Sequence, residues 1–312
     1  MNRLRHHWQL LGLVGPRYPV LLLKALAFGR GCSSGSLSRF VGCGLEIGGP
    51  SQFFQSGREF PIYSAARNVD NVNYSKKTFW EGTLQEGKCF KYDPDKDAGQ
   101  QFICEASDLS PIQNGTYDFI ASCHTLEHCA NPLKALYEWR RTLKDEGWLA
   151  LVLPHKSGTF DHRRAVTRFQ HILEDYNRDM GEDDTTHFED ILQNHDLERD
   201  PGQSSQKALH EWITNNSVNR GAHHHVFDAE LALTLVDYAG FEVVSAEVLM
   251  PYHILVIAQK SARTSAQKAP ALLRILQRCS AASPFRLDRQ KNHNADGDRQ
   301  DATVPLSTLG NH

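Results

Sequence analysis

The sequence predicts a doubly wound α/β protein whose mostly parallel sheet closes on an antiparallel hairpin. Three observations predict it. Short apolar runs alternate with helical patterns over residues 41–156. Acids and glycines recur where those runs end, as at a ligand-binding sheet edge. After the last helix, two apolar runs are separated only by Pro251 and its neighbours, too little chain for anything but a hairpin.

Taken in order, "RFVGCGLEIG" is a strand entering a glycine turn, and "NVDNVNY" and "QFICEAS" are the second and third strands. "YDFIASCHTLEH" is the fourth, with Phe119, Ile120 and Ala121 as its buried run. "NPLKALYEWRRTLKDEG" follows as a helix, because Leu133, Leu136, Tyr137, Arg140 and Leu143 recur at helical spacing, with Gly147 as its stop. "WLALVLP" is apolar throughout, as in the centre of a parallel sheet, and Pro154 ends it. "DAELALTLVDYAGF" is the last helix, with Asp228 as N-cap and Gly240 as C-cap. "EVVSAEVLM" and "YHILVIAQK" are the hairpin strands at the edge of the sheet.

Composition limits the function. The chain has 312 residues and a net charge of −3, which gives no general case for nucleic-acid binding. The longest apolar run, Val20 to Phe28, is too short to span a membrane and contains Lys24. Seven cysteines with no CxxC pair point to free thiols in a reducing, cytoplasmic setting. Residues 1–40 read as a basic, apolar helical extension that does not fit a signal peptide. The tail, residues 261–312, is polar apart from "ALLRILQRC" and is expected to be largely disordered.

The blocks "LEIGG", "CEASDLS", "YDFIASCHTLEH", "NPLKALYEWRRTLKDEGWLALVLP" and "DAELALTLVDYAGF" resemble, in order and spacing, class I S-adenosylmethionine-dependent methyltransferases of the small-molecule type. The resemblance covers roughly residues 41–156 and 222–260 and is most specific from Tyr117 to Pro154. It implies a Rossmann-like domain over 41–260, with S-adenosylmethionine as cofactor and a small-molecule acceptor. By position it implies that Glu46 belongs to the first motif, with Gly48 and Gly49 lining the methionine part. Glu105 then accepts from the adenine amine, with Ala106 as a backbone contact, and His124 and Thr125 flank the methyl-donating sulfur. Glu127 and His128 are expected to start a helix with their hydrogen bonds satisfied. Two departures stand out. Pro50 and Gln52 replace glycines of the usual first motif. The acid that holds the ribose is offered by Asp70, whose two oxygens suit a diol, while the family register falls on Asn73.

Residues 157–225 form an insert expected to cover the substrate. With His155 just before it, the insert offers Asp161, His162, Asp183, Asp184, His187, His195 and His223 to His225. Three readings compete: a general base, a divalent metal site, and a polar lid whose histidines and acids satisfy one another. The spacing matches no standard metal motif, so no metal is expected. His155 and His162, nearest the fifth strand's exit, are the candidate bases. The polar lid favours a hydroxylated, sugar-like acceptor and O-methyl transfer. A methyltransferase-like protein that only binds a cofactor or partner is the alternative, favoured by Pro50. A dinucleotide enzyme would need a GxGxxG that is absent.

Overall fold

The computed structural model describes residues 34–290. Residues 1–33 of the expected N-terminal helical extension and the end of the tail lie outside them. Ten strands are described: β1 Cys43–Ile47, β2 Asn68–Asn73, β3 Lys77–Thr78, β4 Gly82–Thr83, β5 Gly87–Phe90, β6 Gly99–Ile103, β7 Tyr117–Cys123, β8 Leu143–Pro154, β9 Phe241–Leu249 and β10 His253–Lys260. The longer helices are α1 Pro132–Thr142, α2 Phe169–Asn177, α3 Phe188–Asn194, α4 Gln206–Thr214, α5 Ala229–Tyr238 and α6 Ser265–Ala282.

Eight strands form one sheet in the order β5-β6-β2-β1-β7-β8-β10-β9, and β3-β4 is a separate two-stranded ribbon. β6, β2, β1, β7 and β8 run parallel. β10 is antiparallel to both β8 and β9, so the hairpin closes the sheet as expected, with its second strand inside and β9 at the edge. β5 adds an antiparallel strand at the other edge. The chain leaves β1 toward β2 on one side and later fills β7 and β8 on the other. The switch point, where such sheets open a crevice, therefore lies at the carboxyl ends of β1 and β7.

The central strands are apolar throughout because both faces are covered. Ile120, Leu149, Leu151 and Leu153 pack on one face with Leu133, Leu136 and Trp139 of α1 and Leu235 of α5. Phe119, Ala121, Ala150 and Val152 point the other way, against Phe40, Phe53, Phe54, Phe60 and Tyr63. Among the described residues, this second face is covered by loops and short helical turns rich in phenylalanine rather than by a long helix.

Two expectations need correction. α1 stops at Thr142, five residues before Gly147. Its last carbonyls already have partners, since Gly115 N donates to Arg141 O (3.0 Å) and Thr116 N to Thr142 O (2.8 Å), so no glycine cap is needed. The tail is ordered well past Ser261: α6 is an 18-residue helix with a Thr264–Gln267 capping box. It packs through Leu272, Ile275, Leu276 and Cys279, and its buried Lys268 sits 3.0 Å from Asp237 Oδ1. The polar composition hid this because the helix buries only one stripe. The caps of α5 are as expected: Asp228 Oδ1 accepts from Leu231 N (2.9 Å), and Gly240 has φ +88°. No helix among the described residues is long and apolar enough to cross a membrane.

Candidate functional site

The glycine turn leaves β1 at the switch point. Gly48 has φ +85°, and its N–H donates to Val72 O (2.8 Å). A Cβ there would stand 2.3 Å from Thr125 Oγ1, which donates to Ile47 O (3.0 Å). A Cβ on Gly49 would strike the Glu46 carboxylate at 2.1 Å. Glu46 is fully buried and braces the turn from within, accepting from Ser51 N (3.1 Å) and Tyr63 OH (2.6 Å). Burial pushes its carboxyl up to about 7. Asn71 pins Gly49 from both sides, accepting from its N–H and donating to its carbonyl (both 3.0 Å), and Asn73 donates to that carbonyl too (3.0 Å). The turn is thus held rigidly, with the N–H groups of Gly48 and Gly49 and the Gly49 carbonyl paired within the protein.

Asp70 does not belong to this turn. It lies in mid-strand opposite Leu45, and protein donors take both its oxygens: Gln100 N and Asn68 Nδ2 on Oδ1, Tyr117 OH on Oδ2 (2.8 Å each). Asn73, at the carboxyl end of β2, is the residue beside the turn. Glu105 follows β6 as expected, but its Oε1 lies 2.5 Å from Arg220 Nη2 of the insert. Arg220 also faces the Tyr74 ring and donates to Glu182 O (2.9 Å), so the insert closes over this corner. The Ala106 carbonyl accepts from Trp139 Nε1 (2.9 Å).

Beyond β7 the chain turns sharply, with His124 at φ +54°. His124 Nε2 lies 2.8 Å from His253 Nδ1 on β10, and its Nδ1 3.5 Å from Glu127 Oε1. Burial, then the neighbouring histidines, holds His124 well below the usual imidazole range, so the ring is neutral. Glu127 lies in a 3-10 turn, Leu126–His128, rather than in a satisfied helix start. It is fully buried, and neither carboxylate oxygen has a hydrogen-bond partner. Burial raises it to about 7. His128 Nδ1 faces Ala222 O (3.1 Å), which makes that nitrogen the donor and leaves Nε2 an acceptor, 3.9 Å from Glu127 Oε1. His223 packs on the His128 ring and pairs through Nδ1 with Asp161 Oδ2 (2.5 Å). Against the opposing effect of burial, His223 and Arg164 hold Asp161 below the usual carboxylate range. Trp80 of the β3–β4 ribbon, about half exposed at 52%, tilts over His128 with centroids 5.3 Å apart.

The two candidate bases lie elsewhere. His155 has no exposed surface. Its Nδ1 accepts from Ser157 N (3.2 Å), its Nε2 faces Asp288 Oδ1 (3.1 Å), and its ring stacks on Phe285 (4.4 Å). It anchors the C-terminal segment and has no free nitrogen for an acceptor. His162 pairs through Nε2 with Asp196 (2.8 Å) and keeps its ring about a quarter exposed. The sequence reading thus missed Glu127, His128 and His223 as a unit, together with Asn71. "LEH" and "HHH" were in view, but 94 residues separate His128 from Ala222, which the fold brings together.

The methyltransferase-domain family matches residues 64–151, a stretch that begins after the glycine turn. No curated protein matches the chain. Solved structures of similar fold include S-adenosylmethionine-dependent methyltransferases from three organisms. That from Mesorhizobium loti is 13% identical, with 80% of this chain and 99% of that one covered, at a TM-score of 0.42. That from Aquifex aeolicus is 14% identical, over 81% and 98%, at 0.37. That from Methanosarcina mazei is 14% identical, over 71% and 93%, at 0.38.

Proposed function

We propose that the chain, whose residues 64–151 match a methyltransferase domain, is a class I S-adenosylmethionine-dependent methyltransferase that O-methylates a small hydroxylated acceptor. The observation that carries this reading is Glu127: a buried, unpartnered carboxylate among three histidines at the exit of β7, beside the switch point.

The residues present fit the cofactor. The Gly48–Gly49 backbone has space only for hydrogen where it faces Thr125 and Glu46, which keeps the turn tight against the sheet end. In this reading Gly48, Gly49 and Asn73 hold the amino-acid and ribose parts, and Glu105 with Ala106 the adenine, Glu105 exchanging Arg220 for the exocyclic amine. His124 lines the methyl-transfer end. When bound, S-adenosylmethionine supplies an already activated methyl group, so the protein mainly contributes orientation.

The acceptor hydroxyl must lose its proton, and His128 Nε2 is the atom proposed to take it. The Ala222 carbonyl on Nδ1 fixes its tautomer, burial keeps the ring neutral, and Glu127, 3.9 Å from Nε2 itself, stabilises the imidazolium that forms. The half-exposed face of Trp80 beside it suits the apolar face of a sugar ring. The polar lining of residues 157–225 supports the same acceptor class. The six cysteines among the described residues are all free, which supports a cytoplasmic setting.

The test is a methylation screen of sugars, nucleotide-sugars and phenols with methyl-labelled cofactor, followed by variants. His128→Ala and Glu127→Gln should each lower kcat at least about a hundredfold, the usual contribution of a general base, with cofactor affinity kept. Full turnover in both would remove the base from this cluster. Loss in His162→Ala alone would move it to the insert's outer edge.

A further inference from the structure

A second group of side chains lies outside the site just described. His171 and Asp175 are one turn apart on the same face of α2, His187 caps α3, and His225 follows His224 on the way to α5. One ligating atom from each lies within 4.8 Å of all the others. His171 Nε2 is 3.2 Å from His187 Nε2 and 3.4 Å from Asp175 Oδ2, and His225 Nε2 is 3.8 Å from Asp175 Oδ2.

Two features point to a missing ligand. Asp175 is 1% exposed, yet neither of its carboxylate oxygens accepts a hydrogen bond. His225 is equally buried, and its Nδ1 has no partner while its Nε2 faces the Ala130 carbonyl (3.3 Å). Buried acceptors are normally paired, and here two adjacent ones are not. A ring that donates Nε2–H to a carbonyl keeps Nδ1 as a bare acceptor, the arrangement usual for metal-bound histidine. The spacing among His171, His187 and Asp175, 3.2 and 3.4 Å, agrees: a tetrahedral ion with bonds of about 2.0–2.1 Å holds its ligands roughly 3.3 Å apart.

We propose that His171, Asp175, His187 and His225 bind one zinc ion, which ties the three segments of the insert together. Three imidazoles and one carboxylate, with no thiolate, make a donor set suited to zinc. The ion fills the ligand set from within the protein, so its role is structural. It fixes the chain at His225, two residues from the His223 that packs on His128, and so holds the lid in register with the β7 exit. The spacing hid the site, because its ligands come from residues 171, 175, 187 and 225 and only one pair shares a helix.

The test uses the full chain, stripped with a chelator and titrated with cobalt(II), whose visible bands report coordination. The expected result is saturation at one cobalt per chain with the intense spectrum of a four-coordinate site, bleaching by one equivalent of zinc, and a zinc-dependent rise in Tm. Asp175→Asn and His187→Ala, each confirmed folded by circular dichroism, should weaken cobalt binding at least about a hundredfold, beyond the 10–100-fold usual for a second-shell partner. Folded His223→Ala, in the neighbouring cluster, should keep it. The proposal is overturned if the folded parent gives no saturable signal and no zinc-dependent shift. It is equally overturned if both ligand variants bind as the parent does, or if His223→Ala abolishes the signal.

Discussion

Gly48→Ala isolates what the glycine turn contributes. At φ +85° an L side chain is strained by about 1–2 kcal/mol. The new methyl would stand 2.3 Å from Thr125 Oγ1 and 3.2 Å from its Cγ2, so Thr125 must move. Moving it breaks the Oγ1 bond to Ile47 O, worth about 1 kcal/mol. The sum is about 2–3 kcal/mol, which at about 2–4 °C per kcal/mol for a domain of this size lowers Tm by about 4–12 °C. Cofactor affinity should fall as well, because the same atoms form the turn proposed to hold the cofactor. Thermal melts and calorimetry read the two effects separately. Thr125→Ala in the Gly48→Ala background removes the obstacle but not the backbone strain, so it should cost less than the sum of the single changes. A Gly48→Ala protein that melts within about 1 °C of the parent and binds cofactor equally well would refute the reasoning, since no strain of the stated size could then exist.

Truncation after Ser261 should lower Tm by far more than a few degrees or leave the protein insoluble. It strips α6 from the sheet and uncovers His155 by removing Phe285 and Asp288; a melting curve that hardly moves would mean that α6 contributes nothing. Glu46→Gln should change the pH dependence of stability. Glu46 holds its proton more tightly folded, at about 7, than its ordinary value of 4.5. Its contribution is therefore complete below about pH 4.5 and is lost as pH rises to about 7. The variant lacks that loss, so it should gain stability relative to the parent across this window and show a constant difference above it; denaturant melts at several pH values check the sign.

The parallel core was legible because β7 and β8 are apolar on both faces, and a run such as "WLALVLP" admits few other placements. The caps of α5 were legible for local reasons, an acid at one end and a glycine at the other. The C-terminal helix was not, because its apolar stripe is thin and Lys268 reads as surface until Asp237 and two carbonyls are seen around it. The candidate site divided in the same way. Gly48, Gly49, Glu105 and His124 follow strands, so strand ends located them. Asp70 misled because an acid near the end of β2 looks available, whereas Tyr117 and Gln100 occupy it. His155 misled because proximity along the chain to β8 says nothing about Phe285 and Asp288, which arrive from more than a hundred residues away. Glu127 and His128 were visible as letters, but whether a buried carboxylate is partnered depends on the insert's path, which sequence spacing does not specify.

In the proposed function the turn at the end of β1 and the acids and histidines beyond β6 and β7 bind S-adenosylmethionine. Isothermal titration of the full chain with S-adenosylmethionine and with its demethylated product tests this most directly. One site per chain with micromolar affinity for both, lost in Gly48→Val while the fold persists by circular dichroism, is the expected result. No heat with either nucleotide from folded parent protein, or full binding by a folded Gly48→Val variant, would contradict it.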